Sequence, residues 1–135
     1  MQALLILCLA FDLAAIKMEP NLERRSERAM DNAAAAMDAA RDASSAGEAG
    51  KAKAALEEVR DSVALAYQSL VESGKSARRS PKFFKRAELK TRELMRRLEG
   101  LAQAVDSEDR AFVETVRDEV SKVHDDLIQD LMQKK

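Results

Sequence analysis

Apolar side chains recur at intervals of three and four along most of the chain, which is the repeat of one face of an α-helix. Four stretches follow this pattern, at about residues 21–44, 45–73, 81–105 and 106–132. The seams of the third and fourth stretches are Phe84, Ala87, Thr91, Leu94, Leu98, Leu101, Val105 and Val113, Val116, Val120, Val123, Leu127, Leu131. No stretch of the sequence alternates apolar and polar residues as a strand does. The pattern predicts an all-α protein with four long helices.

Turn and cap residues separate the four predicted helices. They are Pro20-Asn21, Ser45 with Glu48, Gly74, Ser80-Pro81 and Asp106. The spacing of Ser45 and Glu48 is that of a capping box, so we expect Ser45 to cap the second helix. Gly74 suits the left-handed residue that follows a helix, and Pro81 after Ser80 is typical of a helix start.

The short connections between helices of similar length favour antiparallel neighbours. We therefore expect an antiparallel four-helix bundle built from two helical hairpins, with residues 19–135 forming a single helical-bundle domain. Because an aspartate in a packed seam would be buried without a partner, Leu98→Asp and Val120→Asp are predicted to be severely destabilising.

Residues 1–18 are an apolar N-terminal segment, with an unbroken apolar run from Ala3 to Phe11. As a helix, residues 2–16 reach about 22 Å, which is short of the roughly 30 Å of a bilayer's hydrocarbon core. The length is typical of a signal peptide, although no Lys or Arg precedes the run and Leu13 is a poor residue before cleavage at Ala15. We interpret the segment as a signal-peptide remnant of an exported, periplasmic bacterial protein. The alternative is a short helix packed on the domain of a cytoplasmic protein.

Composition narrows the class of protein further. The 135 residues are 46% hydrophobic and 35% charged, but only 4% aromatic, and they include no Trp. This composition favours helices over a β-sandwich, which needs more aromatic and β-branched residues. The single cysteine, Cys8, excludes an internal disulfide and a thiolate zinc site. No nucleophile, phosphate-loop or cofactor motif is present in the sequence, so we expect neither an enzyme nor a cofactor.

The net charge of −1 hides a strongly basic segment at residues 75–97, which holds ten Lys and Arg against Glu88 and Glu93. At about 100° per residue, most of its cations lie on the side of the third helix away from the core, around Leu89. The candidate binding residues are Lys75, Arg78, Arg79, Lys82, Lys85, Arg86, Leu89, Arg92, Arg96 and Arg97. We expect this surface to hold an anionic partner: an acidic protein, a phosphate-bearing polymer or an anionic lipid headgroup. Reversal of Arg96 and Arg97 to Glu is expected to abolish binding without changing stability.

The same surface also allows a different function, that of a cytoplasmic nucleic-acid-binding accessory protein. Phe83 and Phe84 lie inside the basic segment, where base stacking would need them exposed. Rotation instead places both at the edges of the core seam, and we therefore assign them to packing. The non-catalytic interaction protein remains the preferred interpretation.

Acidic side chains on the first two helices suggest two further alternatives. The pairs Glu27/Asp31, Asp38/Asp42 and Glu57/Asp61 have a spacing that is similar to one used by the PhoU family of helical metal-binding regulators, and the resemblance covers these short patterns only. It implies a metal-binding regulator. The other alternative is self-association, in which the acidic stripe of the first helix pairs with the basic third helix of a second copy. His124, the only histidine, is interpreted as a packing residue at the core edge.

Overall fold

The structure is a computed structural model that describes residues 12–133. These residues form helices α1 (Leu13–Lys17), α2 (Leu22–Ser45), α3 (Ala49–Glu72), α4 (Pro81–Ala104) and α5 (Ser107–Met132). The prediction of an all-α bundle built from two hairpins is confirmed. The four predicted long helices are α2 to α5. Their bounds lie within about one residue of the predicted ones, except that α3 begins at Ala49, three residues later than a cap at Ser45 predicts.

The two hairpins, α2/α3 and α4/α5, pack with α2 beside α4 and α3 beside α5. Within each hairpin the helices are antiparallel, but the neighbours across the two hairpins run in the same direction. The ion pairs Asp31–Lys90 and Asp38–Arg97 show this, because both join residues 59 positions apart in α2 and α4. The α3–α4 connection therefore crosses the bundle diagonally.

Small side chains on α2 let its neighbours approach closely. Ala29, Ala33, Ala36 and Ala40 are completely buried. The larger core side chains come mainly from the other helices and include Leu70, Leu98, Val120 and Leu127. Since alanine buries little apolar area, α2 adds less hydrophobic stabilisation than the other long helices.

The short helix α1 packs on α2 and α3. Asp12 caps it by accepting a hydrogen bond from the backbone N–H of Ala15, and Ile16 is only 6% exposed within the core. The end of the predicted N-terminal segment is thus part of the packed structure, while its apolar run, Ala3–Phe11, lies outside the described residues. No helix within residues 12–133 is long and apolar enough to span a membrane.

The helix ends follow the predicted caps except at the start of α3. Gly47 has a φ of +74°, and Glu48 N–H bonds to the carbonyl of Ala43 while Gly47 N–H bonds to that of Ser44. These two bonds form a Schellman motif that closes α2. The prediction that Ser45 caps α3 is wrong, because Ser45 is the last residue of α2 and Glu48 holds the N-cap position.

Candidate anion-binding surface

Helix α4 presents its cations on two different faces. One face contacts α2, and the other points away from the bundle. The difference follows from sequence spacing, because Arg86, Lys90 and Arg97 lie about 100° around the helix from Lys85, Leu89 and Arg96. The predicted surface is therefore divided between two environments.

The face towards α2 forms a row of ion pairs, Glu27–Arg86, Asp31–Lys90 and Asp38–Arg97. We call these six residues the α2–α4 ion-pair row. The Lys90 Nζ is 3.5 Å from Asp31 Oδ1, and the Arg97 side chain is 21% exposed. Three acids of the stripe considered for pairing with a second copy thus contact the basic helix of their own chain.

The loop before α4 is also tied to α2. The Lys75 Nζ lies 3.0 Å from Glu23 Oε1, and the Ser80 hydroxyl donates a hydrogen bond to the same carboxylate. The Ser80 bond, followed by the Lys75 bond, lowers the pKa of Glu23 below its ordinary value. Lys75 therefore holds the loop in place, whereas Arg78 and Arg79 are exposed beside it.

The other face of α4 carries Lys82, Lys85, Leu89, Arg92 and Arg96, which we call the α4 outer face. Successive members are separated by three, four, three and four residues, so they form one continuous stripe. Leu89 lies at its centre and is 57% exposed. The ammonium of Lys82 lies 5.6 Å from the ring centre of Phe83. Among residues 12–133, no carboxylate lies within ion-pair distance of Lys82, Lys85 or Arg96.

Arg92 differs from the other cations of the α4 outer face because it contacts a buried carboxylate. Its guanidinium is 2.6 Å from Glu88 Oε2, which also lies 2.8 Å from His124 Nε2 on α5. Burial raises the pKa of Glu88, but the hydrogen bonds from His124 and Arg92 outweigh burial, and the net result is a lowered pKa. The Glu88–His124 contact therefore joins α4 to α5 at the edge of the core.

In the sequence, Glu88 is one of two acids that offset the charge of the basic segment, and its burial is not predicted there. Glu88 is only 6% exposed. The available signal was its position four residues after Phe84 and three before Thr91, which places it beside the seam. The predicted position of His124 at the core edge agrees with its half-buried side chain.

The other chemical candidates have these locations. Phe84 is buried and Phe83 packs against the core, as predicted. Glu27, Asp31 and Asp38 contact cations of α4, and residues 12–133 contain no group of three or more His, Cys, Asp or Glu side chains arranged to hold a metal ion. A half-open cavity of about 490 Å³ lies between the hairpin turns, lined in part by Leu56, Phe112 and Asp109.

In comparisons with known proteins, no protein-family model, curated protein or solved structure matches the chain.

Proposed function

We propose that the chain is a non-catalytic interaction protein that holds an anionic partner on the α4 outer face. The observation that carries the proposal is the combination of Leu89, largely exposed, with Lys85 and Arg96, which have no carboxylate partner among residues 12–133. An apolar side chain surrounded by cations is typical of an interface with a central contact and a charged rim.

The division of α4 into two faces makes the proposal more specific than the basic segment alone. Cations of the α2–α4 ion-pair row already have carboxylate partners, and a ligand would have to displace those partners before binding there. Among residues 12–133, Lys85 and Arg96 of the α4 outer face have no carboxylate to displace, and Lys82 contacts only the ring of Phe83. We therefore assign binding to Lys82, Lys85, Leu89 and Arg96, with Arg78 and Arg79 adding to the local positive field.

The anion that fits this face best is a carboxylate-rich protein surface. Leu89 offers an apolar contact, which a folded partner matches better than a nucleic-acid backbone does. Unstacked bases need exposed aromatic rings, and Phe84 is buried while Phe83 packs at the core edge. The contact begins with electrostatic steering, so binding should weaken steeply as salt screens it.

The test measures binding of polyglutamate, a single-stranded oligonucleotide and anionic vesicles to the wild type and to two double variants. Lys85→Glu with Arg96→Glu reverses two exposed cations of the α4 outer face. The control is Arg24→Glu with Arg41→Glu, which makes the same charge change at exposed positions of α2, although these two arginines contact Glu19 and Asp38. Thermal unfolding by circular dichroism checks that all three proteins fold equally well.

We expect the wild type and the α2 control to bind polyglutamate at about 50 mM salt. Both should release it at about 500 mM because salt screens the attraction between charges. The α4 variant should not bind at either salt concentration. Binding of the oligonucleotide alone would favour the nucleic-acid-binding alternative. Equal binding by all three proteins, or affinity that does not change with salt, would refute the role of the α4 outer face.

We also propose that the protein is exported, on the basis of the apolar run at residues 3–11. Cleavage after Ala15 would leave Ile16, the residue of α1 that packs into the core. Mass spectrometry of the mature N-terminus after expression with a bacterial export system tests this proposal. An N-terminus near residue 16 supports export, and an intact residue 1 in the cytoplasmic fraction contradicts it.

A further inference from the structure

A second charged stripe lies on α5, which is antiparallel to α4 in the same hairpin. Helix α5 carries eight acidic residues and three basic ones, whereas α4 carries seven basic and three acidic residues. Glu114, Asp118, Ser121 and Asp125 are spaced by four, three and four residues and form one stripe, which we call the α5 outer face. Glu114 and Ser121 are half-buried, and Asp118 forms an ion pair of 3.1 Å with Arg117 of the same helix. The side chain of Asp125 is 79% exposed and that of Asp118 is 71% exposed.

Contacts on the other sides of α5 locate this stripe. The side towards α4 carries His124 and Arg110, whose guanidinium donates to the carbonyl of Ala102. The side towards α3 carries Glu119, which is 3.7 Å from Arg60, and Asp130, which accepts a hydrogen bond from Tyr67. The α5 outer face lies between these two sides, so it and the α4 outer face are adjacent on one exposed layer.

The two outer faces match in spacing as well as in charge. Lys85, Arg92 and Arg96 are separated by seven and then four residues. In the reverse direction, Asp125, Asp118 and Glu114 are separated by seven and then four residues as well. Leu89 falls in the α4 stripe where Ser121 falls in the α5 stripe, so the one apolar residue meets a small side chain. An antiparallel pairing of the two stripes therefore places each of these three cations opposite a carboxylate, whereas Lys82 falls opposite Ile128.

We infer that the anionic partner of the α4 outer face is the α5 outer face of a second copy of this chain. The inference rests on the proposed function, because it takes the α4 outer face to be a docking surface. A two-fold axis parallel to the helices, between two facing α4/α5 layers, sets each α4 antiparallel to the α5 of the other copy. The contact between an α4 outer face and an α5 outer face then forms twice in the dimer.

The positions of Leu89 and Ser121 along the helix axes agree with this symmetry. The Glu88–His124 contact places these two residues at the same level of the hairpin. Rotation about an axis parallel to the helices leaves each residue's position along that axis unchanged. Leu89 therefore lies within about 3 Å, along the axis, of Ser121 of the second copy. The pairing needs no sliding of one copy along the other beyond that distance.

The expected complex is weak and sensitive to salt. Two helices of this length, side by side, present a face of about 700 Å², which is close to the area each partner buries in a standard interface. The face is nearly all charged, however, and exposed ion pairs contribute little each. Association should therefore appear at high protein concentration and low salt.

Complementary charge reversal tests the inference, with sedimentation equilibrium as the readout. The first variant is Lys85→Glu with Arg96→Glu, and the second is Glu114→Lys with Asp125→Lys. Each variant alone opposes like charges at both contacts of the dimer. In a mixture of the two, the reversed α4 faces the reversed α5 and the wild-type faces meet each other, so both contacts are again complementary.

We expect the wild type to dimerise at about 50 mM salt, and each variant alone to dimerise at least about 100-fold more weakly. An equimolar mixture should form heterodimers with nearly the wild-type affinity. The Arg24→Glu, Arg41→Glu control should dimerise as the wild type does.

Two results overturn the inference. One is a wild type that stays monomeric at high concentration and low salt, and the other is a dimer that the mixture does not restore. If the wild type is monomeric but binds polyglutamate through the α4 outer face, the dimer is excluded while the proposed function stands. If it neither dimerises nor binds polyglutamate, both proposals fail.

Discussion

Replacing Glu88 with Gln is a direct test of the contact between α4 and α5. The change keeps the size of the side chain but removes the negative charge that His124 Nε2 and the Arg92 guanidinium approach at 2.8 Å and 2.6 Å. A charge-assisted hydrogen bond contributes about 1.5–3 kcal/mol, and Gln retains part of the bond to His124. The Arg92 side chain is 63% exposed, so its ion pair with Glu88 contributes little to the free energy of unfolding. We expect Glu88→Gln to lower the free energy of unfolding by about 1–2 kcal/mol at pH 7.

The loss should depend on pH in a definite direction. Because the pKa of Glu88 is lower in the folded protein than its ordinary value of 4.5, the charged form stabilises the fold above that value. This stabilisation disappears as the pH falls through the folded pKa, where the carboxyl becomes protonated. The difference in stability between the wild type and Glu88→Gln should therefore be full at neutral pH and should vanish in acid.

Urea unfolding followed by circular dichroism, at several pH values, measures the difference in stability. Glu93→Gln is the matched control, since Glu93 is an exposed carboxylate of the same helix with no ion pair among residues 12–133. Its stability should stay close to that of the wild type throughout. If Glu88→Gln is as stable as the wild type at pH 7, or if its deficit is the same at every pH, the Glu88 contact does not stabilise the fold as argued.

Three further changes test the packing and the ion-pair row by thermal or urea unfolding. Leu98→Asp and Val120→Asp each place a charge at a fully buried position, so each should prevent folding or lower the free energy of unfolding by more than about 4 kcal/mol. A cooperative transition near that of the wild type would show that these residues do not belong to the packed core. Arg97→Glu should lower the free energy of unfolding by about 1 kcal/mol because residue 97 faces Asp38, whereas Arg96→Glu should leave it unchanged. Equal effects of the two changes would mean that the two faces of α4 do not differ. Gly74→Ala should lower the free energy of unfolding by about 1–2 kcal/mol because alanine is strained at a φ of +70°. No atom lies within 4 Å of the added methyl group, so a steric clash does not contribute. An unchanged midpoint would mean that the turn adapts.

Helix positions were predictable because periodicity and caps agree along most of the chain. Pro81 follows Ser80 at the start of α4, and Gly74 takes the left-handed conformation after α3. The start of α3 was harder to predict because two signals compete there. Ser45 and Glu48 have capping-box spacing, but Gly47 permits the Schellman closure of α2, which satisfies the last carbonyls of that helix instead.

The candidate surface was predictable only in part, since a single sequence does not reveal which helix lies beside which. The charge of the basic segment was weighed against Glu88 and Glu93, its sequence neighbours. The acids that contact it, such as Asp38, lie 59 residues earlier and reach Arg97 through the parallel packing of α2 and α4. Arg96 and Arg97 therefore differ in role, and their joint reversal would not leave stability unchanged as the sequence suggested.

Binding of an anionic partner to the α4 outer face is tested most directly by an amide NMR titration of the wild type with polyglutamate at low salt. We expect the largest chemical-shift changes to cluster along the α4 outer face, from Lys82 to Arg96 around Leu89, and to vanish in the Lys85→Glu, Arg96→Glu variant. Shifts concentrated on α2 or in the cavity between the hairpin turns, or no shifts at saturating polyglutamate, would contradict it.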